Sequence, residues 1–434
     1  MDKMADVLGR AGAWCGQNKY LSAIKNAFQN FMPLTIAGAI GVLWCNVLVN
    51  DQTGLGIFFK PIMALDFLNP AFQAVNFCTI SCITVGITLG IAQEIGVWNM
   101  GAEKAGYIPG LVGLAAWLSV TNTSHMVEGA KEAFTGVAGN ELGATGLFTG
   151  MIIGVLSVEL FCFFEKQDAL KIKMPEQVPP GVARAFEVLV PATITLIITA
   201  CIGSACYNLT GLYLNDVIKN GIQGPLGAVG ATIPGVMIIY LVIMLFWLVG
   251  IHGNNMLSAV KEALFTPLAL ENVEKFNKGE KPTNIINMYF LQMCGEFGGS
   301  GVTIGLVIAI MIFGKREDNK AIASLSLVPG LFNINETVTF GIPMVLNPIL
   351  GIPFVFACLV TILVGYVLTV IGFCPVACLT VPWTTPPIVF GFLACGANVM
   401  GAVTQAILIV VSTVIYVPFL ISYEKYQNKQ AAEA

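Results

Sequence analysis

Between Ala321 and Leu420 the chain has no lysine or arginine, and the run from Leu226 to Gly250 has no charged side chain at all. Stretches of this kind constrain the fold more than any motif does. About 20 consecutive apolar residues cross the hydrocarbon of a bilayer as one helix, and in lipid every backbone N–H and C=O must find its partner within the chain. The runs are unbroken rather than alternating, which excludes a β-barrel. Composition agrees. There are 21 Lys or Arg and 25 Asp or Glu among 434 residues, and 11 % of the chain is charged, against roughly 25 % for a soluble domain. A soluble globule of this size needs a charged shell that so few residues cannot build. A soluble enzyme, a disordered chain and a nucleic-acid binder are therefore excluded. The last is excluded also by a net charge of −4 with no basic stripe. The expected fold class is an all-α polytopic membrane protein, whose length accommodates about ten crossings once loops are allowed for.

Six spans are expected in the first part of the chain: near Phe31–Val49, Phe72–Ala92, Tyr107–Val120, Leu142–Phe164, Val188–Cys206 and Leu226–Gly250. Basic residues gather before the first of them (Lys3, Arg10, Lys19, Lys25), between Glu165 and Arg184 (Lys166, Lys171, Lys173), and in the tail (Lys425, Lys429). Positive charge marks cytoplasmic loops, so both termini are expected inside a bacterial cytoplasmic membrane. The loop Thr121–Glu141, with Glu128, Glu132 and Glu141 against one Lys, suits the outside. The basic N-terminus lacks the early apolar core of a cleavable signal. The segment Glu165–Arg184 contains Pro175, Pro179 and Pro180. It reads as a boundary between an N-terminal bundle, residues 1–183, and a C-terminal one, residues 184–434. The twelve cysteines form no C-x-x-C and no Cys/His cluster with zinc spacing, and most read as small buried hydrophobes.

The C-terminal part is irregular. The stretch His252–Thr283, with Lys261, Lys275, Lys278 and Lys281, reads as cytoplasmic. The apolar stretch Ile285–Phe313 is interrupted by Gly295-Glu296-Phe297-Gly298-Gly299-Ser300-Gly301 and flanked by basic residues on both sides, which one plain crossing cannot satisfy; a re-entrant hairpin can. Further breaks are expected at Pro329–Glu336 and Phe373–Pro387, with spans near Leu346–Ile371 and Ala397–Ile421. Non-helical backbone at membrane depth survives only inside protein or beside a wet cavity, so these breaks point to a solute site.

Three sets of side chains at the breaks can do chemistry. Glu336 lies in Asn333-Ile334-Asn335-Glu336 with no local basic partner. An ionisable group in an apolar segment costs at least ~2.5 kcal/mol and marks function by default. Glu296 is a second such case. His252 falls where an apolar run turns into Gly250-Ile251-His252-Gly253-Asn254-Asn255. A helix C-cap explains Gly253 as the left-handed residue but not a histidine followed by two amides. His125, in the loop Thr121–His125, reads as a solvated residue. Trp247 and Trp383 beside amides and carboxylates suit a sugar, whose hydroxyls want polar partners and whose C–H face wants a flat ring. There is no Walker A motif or Gly-rich nucleotide loop, and neither a cofactor nor a metal is expected.

Phe332-Asn333-Ile334-Asn335-Glu336 with Gly341-Ile342-Pro343 and Asn347-Pro348, Gly250-Ile251-His252-Gly253, and Pro382-Trp383-Thr384-Thr385-Pro386 together resemble the signature of enzyme IIC of the bacterial phosphotransferase system. The resemblance is closest to the lactose/cellobiose/diacetylchitobiose branch and covers the whole chain. It implies about ten transmembrane helices plus two re-entrant hairpins, in keeping with the span arithmetic, an N-terminal homodimer interface and a C-terminal sugar site. It also implies uptake of a β-linked disaccharide coupled to its phosphorylation by a phosphocysteine on enzyme IIB. None of the cysteines here has the soluble α/β context of that donor, so IIB is expected as a separate, cytoplasmic chain. By motif, Glu336 would bind or deprotonate the accepting hydroxyl and His252 would orient it or stabilise developing charge. Trp247, Gly250, Asn254, Asn255, Glu296, Asn333, Asn335, Trp383 and Thr385 would form the substrate pocket. The alternative is a proton-coupled secondary sugar transporter with Glu336 as the proton carrier.

Overall fold

Helices form wherever the apolar runs leave the backbone no other partner, and they stop where Gly, Pro and amides offer one. The structure, a computed structural model, describes residues 10, 14, 17–51, 56, 59–125, 133–175, 177–342 and 344–433. Lys3, Glu128, Glu132 and Pro343, used above, lie outside them. The helices that build the bundle and the site are labelled in chain order: α1 Lys19–Leu43, α2 Ile83–Met100, α3 Ile108–Val120, α4 Ala144–Glu165 and α5 Pro180–Thr210. Then follow α6 Ile233–Leu248, α7 Gly253–Met256, α8 Ser258–Asn277, α9 Met288–Gly295, α10 Ile304–Phe313, α11 Glu317–Leu331, α12 Glu336–Gly341, α13 Gly351–Val370, α14 Val389–Ala394 and α15 Val399–Glu433.

Among the described residues six helical stretches are long and apolar enough to cross a bilayer: Lys19–Leu48, Lys60–Met100, Ala144–Glu165, Pro180–Thr210, Gly351–Val370 and Val399–Gln430. Two shorter apolar helices, Ile108–Val120 and Ile233–Leu248, fall where spans are expected. The glycine break is realised as a bend of 59° between Met288–Val302 and Ile304–Phe313. Among the described residues the fold is all-α apart from one short ladder, Ser124–His125 against Phe134–Thr135. His125 sits in that ladder with its ring tilted against Phe134.

Chain contacts divide the molecule into two units. One comprises Gln17–Gly38 and Val75–Gly227; the other comprises the described residues of Ala39–Ala74 and Ala228–Ala434. One boundary of this division falls after Gly227. In the first unit α2, α3 and α4 approach closely through small residues, the way helices associate where lipid removes the hydrophobic drive. A Cβ on Gly113 would sit 2.3 Å from that of Ala92. Trp117 lies fully buried at the centre of a cluster with Ala116, Val120 and Ile153. Charges at the helix ends are paired: Glu165, 1 % exposed, with Lys104 at 2.8 Å and Arg184 at 3.0 Å, Arg184 with Glu187 at 2.8 Å, and Lys19 with Glu159 at 2.6 Å.

The second unit holds every break named from the sequence, and polar side chains satisfy the interrupted backbone there. α6 starts at Thr232, whose hydroxyl accepts from Gly235 N at 3.2 Å, with Pro234 in the first turn; this is ordinary N-cap chemistry. Asn287 caps α9 by accepting from the amides of Tyr289 and Phe290 and donates to the carbonyl of Ala377. Gln405 on α15 accepts from the amides of Ile388 and Gly391 and donates to the carbonyl of Met293. One amide on a long span thus holds α9 and the α14 turn together. These staples fix the irregular segments around which the site is built.

Candidate sugar site

The three broken segments meet at Asn333. Its backbone is left-handed, φ +63°, a conformation that Asn tolerates better than most residues. Held so, its side chain reaches both ways. Oδ1 accepts from Gly298 N at 2.6 Å, and Nδ2 donates to the carbonyls of Trp383 and Thr385. The glycine break is equally demanding. Gly299 has φ +86°, and a Cβ there would come within 2.5 Å of the Asn335 side chain, so neither the torsion nor the space admits another residue. Asn335, 4 % exposed, donates to the carbonyl of Ser300 at 2.8 Å.

Against these segments stands the turn after α6. The left-handed residue is Gly250, φ +81°, and not Gly253 as the cap reading expects. Gly253 is glycine because a Cβ would lie 2.0 Å from the carbonyl oxygen of Ile243. His252 is the N-cap of α7, its Nδ1 accepting from Asn255 N at 3.2 Å. A neutral imidazole that accepts at Nδ1 carries its proton on Nε2. That Nε2 faces Glu336 Oε1 at 3.9 Å, with the two side chains 38 % and 48 % exposed. Burial lowers the His252 pKa from its usual value, the negative charge of Glu336 pulling the other way. The two groups that the sequence left without partners therefore face one another across a gap too wide for a direct hydrogen bond.

The gap opens into a cavity of about 670 Å³, within the size range of small-molecule sites. Of the residues expected from sequence, His252, Asn254, Asn255, Glu296, Asn333, Asn335, Glu336 and Trp383 line it. Three do not. Trp247 is 2 % exposed and packs behind His252, ring centroids 4.4 Å apart, so it supports the imidazole instead of facing a solute. Gly250 supplies the turn, with Val345 against it. Thr385 contributes the carbonyl that anchors Asn333.

One expectation is corrected by the pairing around the glycine break. Glu296 is not partnerless: it forms an ion pair with Lys261 and accepts from the Tyr240 hydroxyl at 2.7 Å. Lys261 is a buried residue, 6 % exposed, on α8. With Lys261, α8 brings Ser258 and Glu262 to the cavity, and α9 brings Met288 and Gln292. Sequence reasoning missed this wall. Its signal is the spacing of Ser258, Lys261 and Glu262, which share one helix face.

The family model described as "Phosphotransferase system, EIIC" matches residues 25–358. The chain belongs to the EIIC family of the phosphotransferase system. It is 33 % identical to the oligo-beta-mannoside-specific EIIC component of Bacillus subtilis (strain 168), covering 98 % of this chain and 94 % of that one. It is 29 % identical to the cellobiose-specific EIIC component of Lactococcus lactis subsp. lactis (strain IL1403), covering 98 % of both. Among solved structures it is similar to the transporter ChbC, the IIC component from an N,N'-diacetylchitobiose-specific phosphotransferase system. The TM-score there is 0.88 at 29 % identity, over 97 % of each chain. This EIIC is accordingly a multi-pass membrane permease for a sugar.

Proposed function

We propose that this EIIC takes up a β-linked disaccharide of the cellobiose, diacetylchitobiose or lactose class and presents one of its hydroxyls to a separate phosphorylated IIB protein. The named sugars of its relatives are oligo-beta-mannoside, cellobiose and N,N'-diacetylchitobiose. The cavity answers them with carboxylates, amides and one partly exposed indole, Trp383.

The observation that carries the reading is the 3.9 Å between His252 Nε2 and Glu336 Oε1. A hydroxyl oxygen placed between them accepts from Nε2–H and donates its own proton to Glu336. As that oxygen attacks the phosphorus of phosphocysteine, the O–P bond forms and the S–P bond breaks. The thiolate leaves with the bonding pair, and Glu336 takes the hydroxyl proton. General base help of this kind contributes about 10² to 10⁴-fold. His252 holds the oxygen in line without itself changing charge, in keeping with its lowered pKa.

The remaining assignments follow from the same reading. We read both termini and the IIB-facing side as cytoplasmic from their basic flanks, and residues 1–183 as a homodimer interface. Glu336→Gln tests the base assignment. Phosphotransfer to the sugar is expected to be lost while part of the sugar affinity remains, because the amide still hydrogen-bonds the hydroxyl. Wild-type phosphotransfer by that variant overturns the assignment.

A further inference from the structure

A continuous chain of polar contacts runs from the buried α6–α8 interface to the backbone of Glu336. The fully buried Tyr240 donates to Glu296 Oε1 at 2.7 Å. Lys261 pairs with the same oxygen, and its Nζ also stands 3.5 Å from Asn254 Oδ1. Asn254 donates through Nδ2 to Ser300 Oγ at 3.0 Å. Asn335 donates to the Ser300 carbonyl at 2.8 Å, and Asn335 precedes Glu336. Asn254 lies in the same short helix that His252 caps. The chain therefore touches both walls of the gap.

The pair is not explained by stability. A buried ion pair commonly contributes no more than a well-packed apolar pair of the same volume would, because desolvation offsets the attraction. Two apolar residues at 261 and 296 would join α8 to the glycine break as well as the charges do. They could not hold the Asn254 amide. An ammonium has three donors; one goes to Glu296, and a second lies in reach of Oδ1. With Oδ1 held, Nδ2 is aimed at Ser300. Without Lys261 the amide is free to turn, and Ser300 and Asn335 lose their tie to α7.

We propose that Lys261 and Glu296 are positioning residues that set the separation of His252 and Glu336 through Asn254, Ser300 and Asn335. The inference rests on the phosphotransfer reading above. The neutral pair Lys261→Met with Glu296→Gln separates positioning from structure, since it removes both charges of the ion pair together. That double variant is expected to keep the wild-type melting temperature within a few degrees and, since both side chains line the cavity, to weaken sugar binding by a smaller factor than it slows phosphotransfer. Its phosphotransfer kcat is expected to fall at least tenfold. Asn254→Ala, which removes no charge, is expected to lower kcat by a similar factor, and combining the two changes is expected to add little. Wild-type kcat in the folded double variant, or full additivity with Asn254→Ala, overturns the proposal. Glu336→Gln run alongside distinguishes the two failures. If it retains phosphotransfer, the base assignment fails; if it is inactive while the double variant is fully active, the positioning claim alone fails.

Discussion

Replacing Asn333 by alanine is expected to unfasten all three broken segments at once. The substitution removes one bond accepted from Gly298 N and two donated to the carbonyls of Trp383 and Thr385. At a net contribution of about 1 kcal/mol each, these amount to about 3 kcal/mol. Alanine must also hold φ +63°, which costs about 1 kcal/mol more. Glycine loses the same bonds but accepts the torsion, so Asn333→Gly should be milder than Asn333→Ala by about 1 kcal/mol. Two assays read this in purified protein: sugar dissociation constants, and hydrogen exchange at the Gly298 amide. Each 1.4 kcal/mol of local destabilisation coupled to binding is about tenfold in affinity, so a weakening of at least tenfold is expected for alanine. Faster exchange at Gly298 should accompany it. An alanine variant with wild-type affinity and an equally protected Gly298 amide would show that the segments are held together by something other than Asn333.

Gly299→Ala should be worse than an ordinary helix-surface change. It combines φ +86° with a contact inside van der Waals range of Asn335, and loss of sugar binding with a lowered melting temperature is expected; normal binding would refute the packing described. The pH dependence of sugar affinity should follow His252. With its pKa lowered by burial, the ring stays neutral through pH 7. Affinity falls only as pH drops beneath the ordinary histidine value of about 6.5. There a proton on Nδ1 ends the bond from Asn255 N. An acid limb centred above that value, or one that persists in His252→Ala, contradicts the assignment.

The fold was readable in the places where lipid leaves few choices. Apolar runs became helices, and Gly, Pro and Asn clusters became the breaks at 295–301 and 373–387, because punctuation of this kind acts locally; the break expected at 329–336 is confined to 332–335, Pro329 and Gly330 lying inside the helix Glu317–Leu331. His252 and Glu336 stood out for the same reason: a titratable group is conspicuous where charge is scarce. Pairing across distance was not readable. Nothing near Glu296 in sequence announces that Lys261, 35 residues earlier, is its partner, and a lysine beside a predicted loop reads as a topology signal. Trp247 shows the converse. Its neighbours in sequence suggest a sugar platform, but the turn at Gly250 folds His252 over the indole and takes it out of the cavity. The division after Gly227 was hidden as well, since the unit that holds the site also recruits residues 39–74, and no composition shift marks such an exchange.

The central claim, that sugar entry is coupled to phosphorylation at the Glu336–His252 gap, is tested most directly with purified protein in sealed vesicles carrying IIB and its phosphoryl donors inside. Labelled disaccharide added outside should accumulate only when IIB is phosphorylated, and it should be recovered from the lumen as the sugar phosphate. Accumulation of unmodified sugar under a proton gradient, with no IIB present, would contradict the account and make Glu336 a proton carrier.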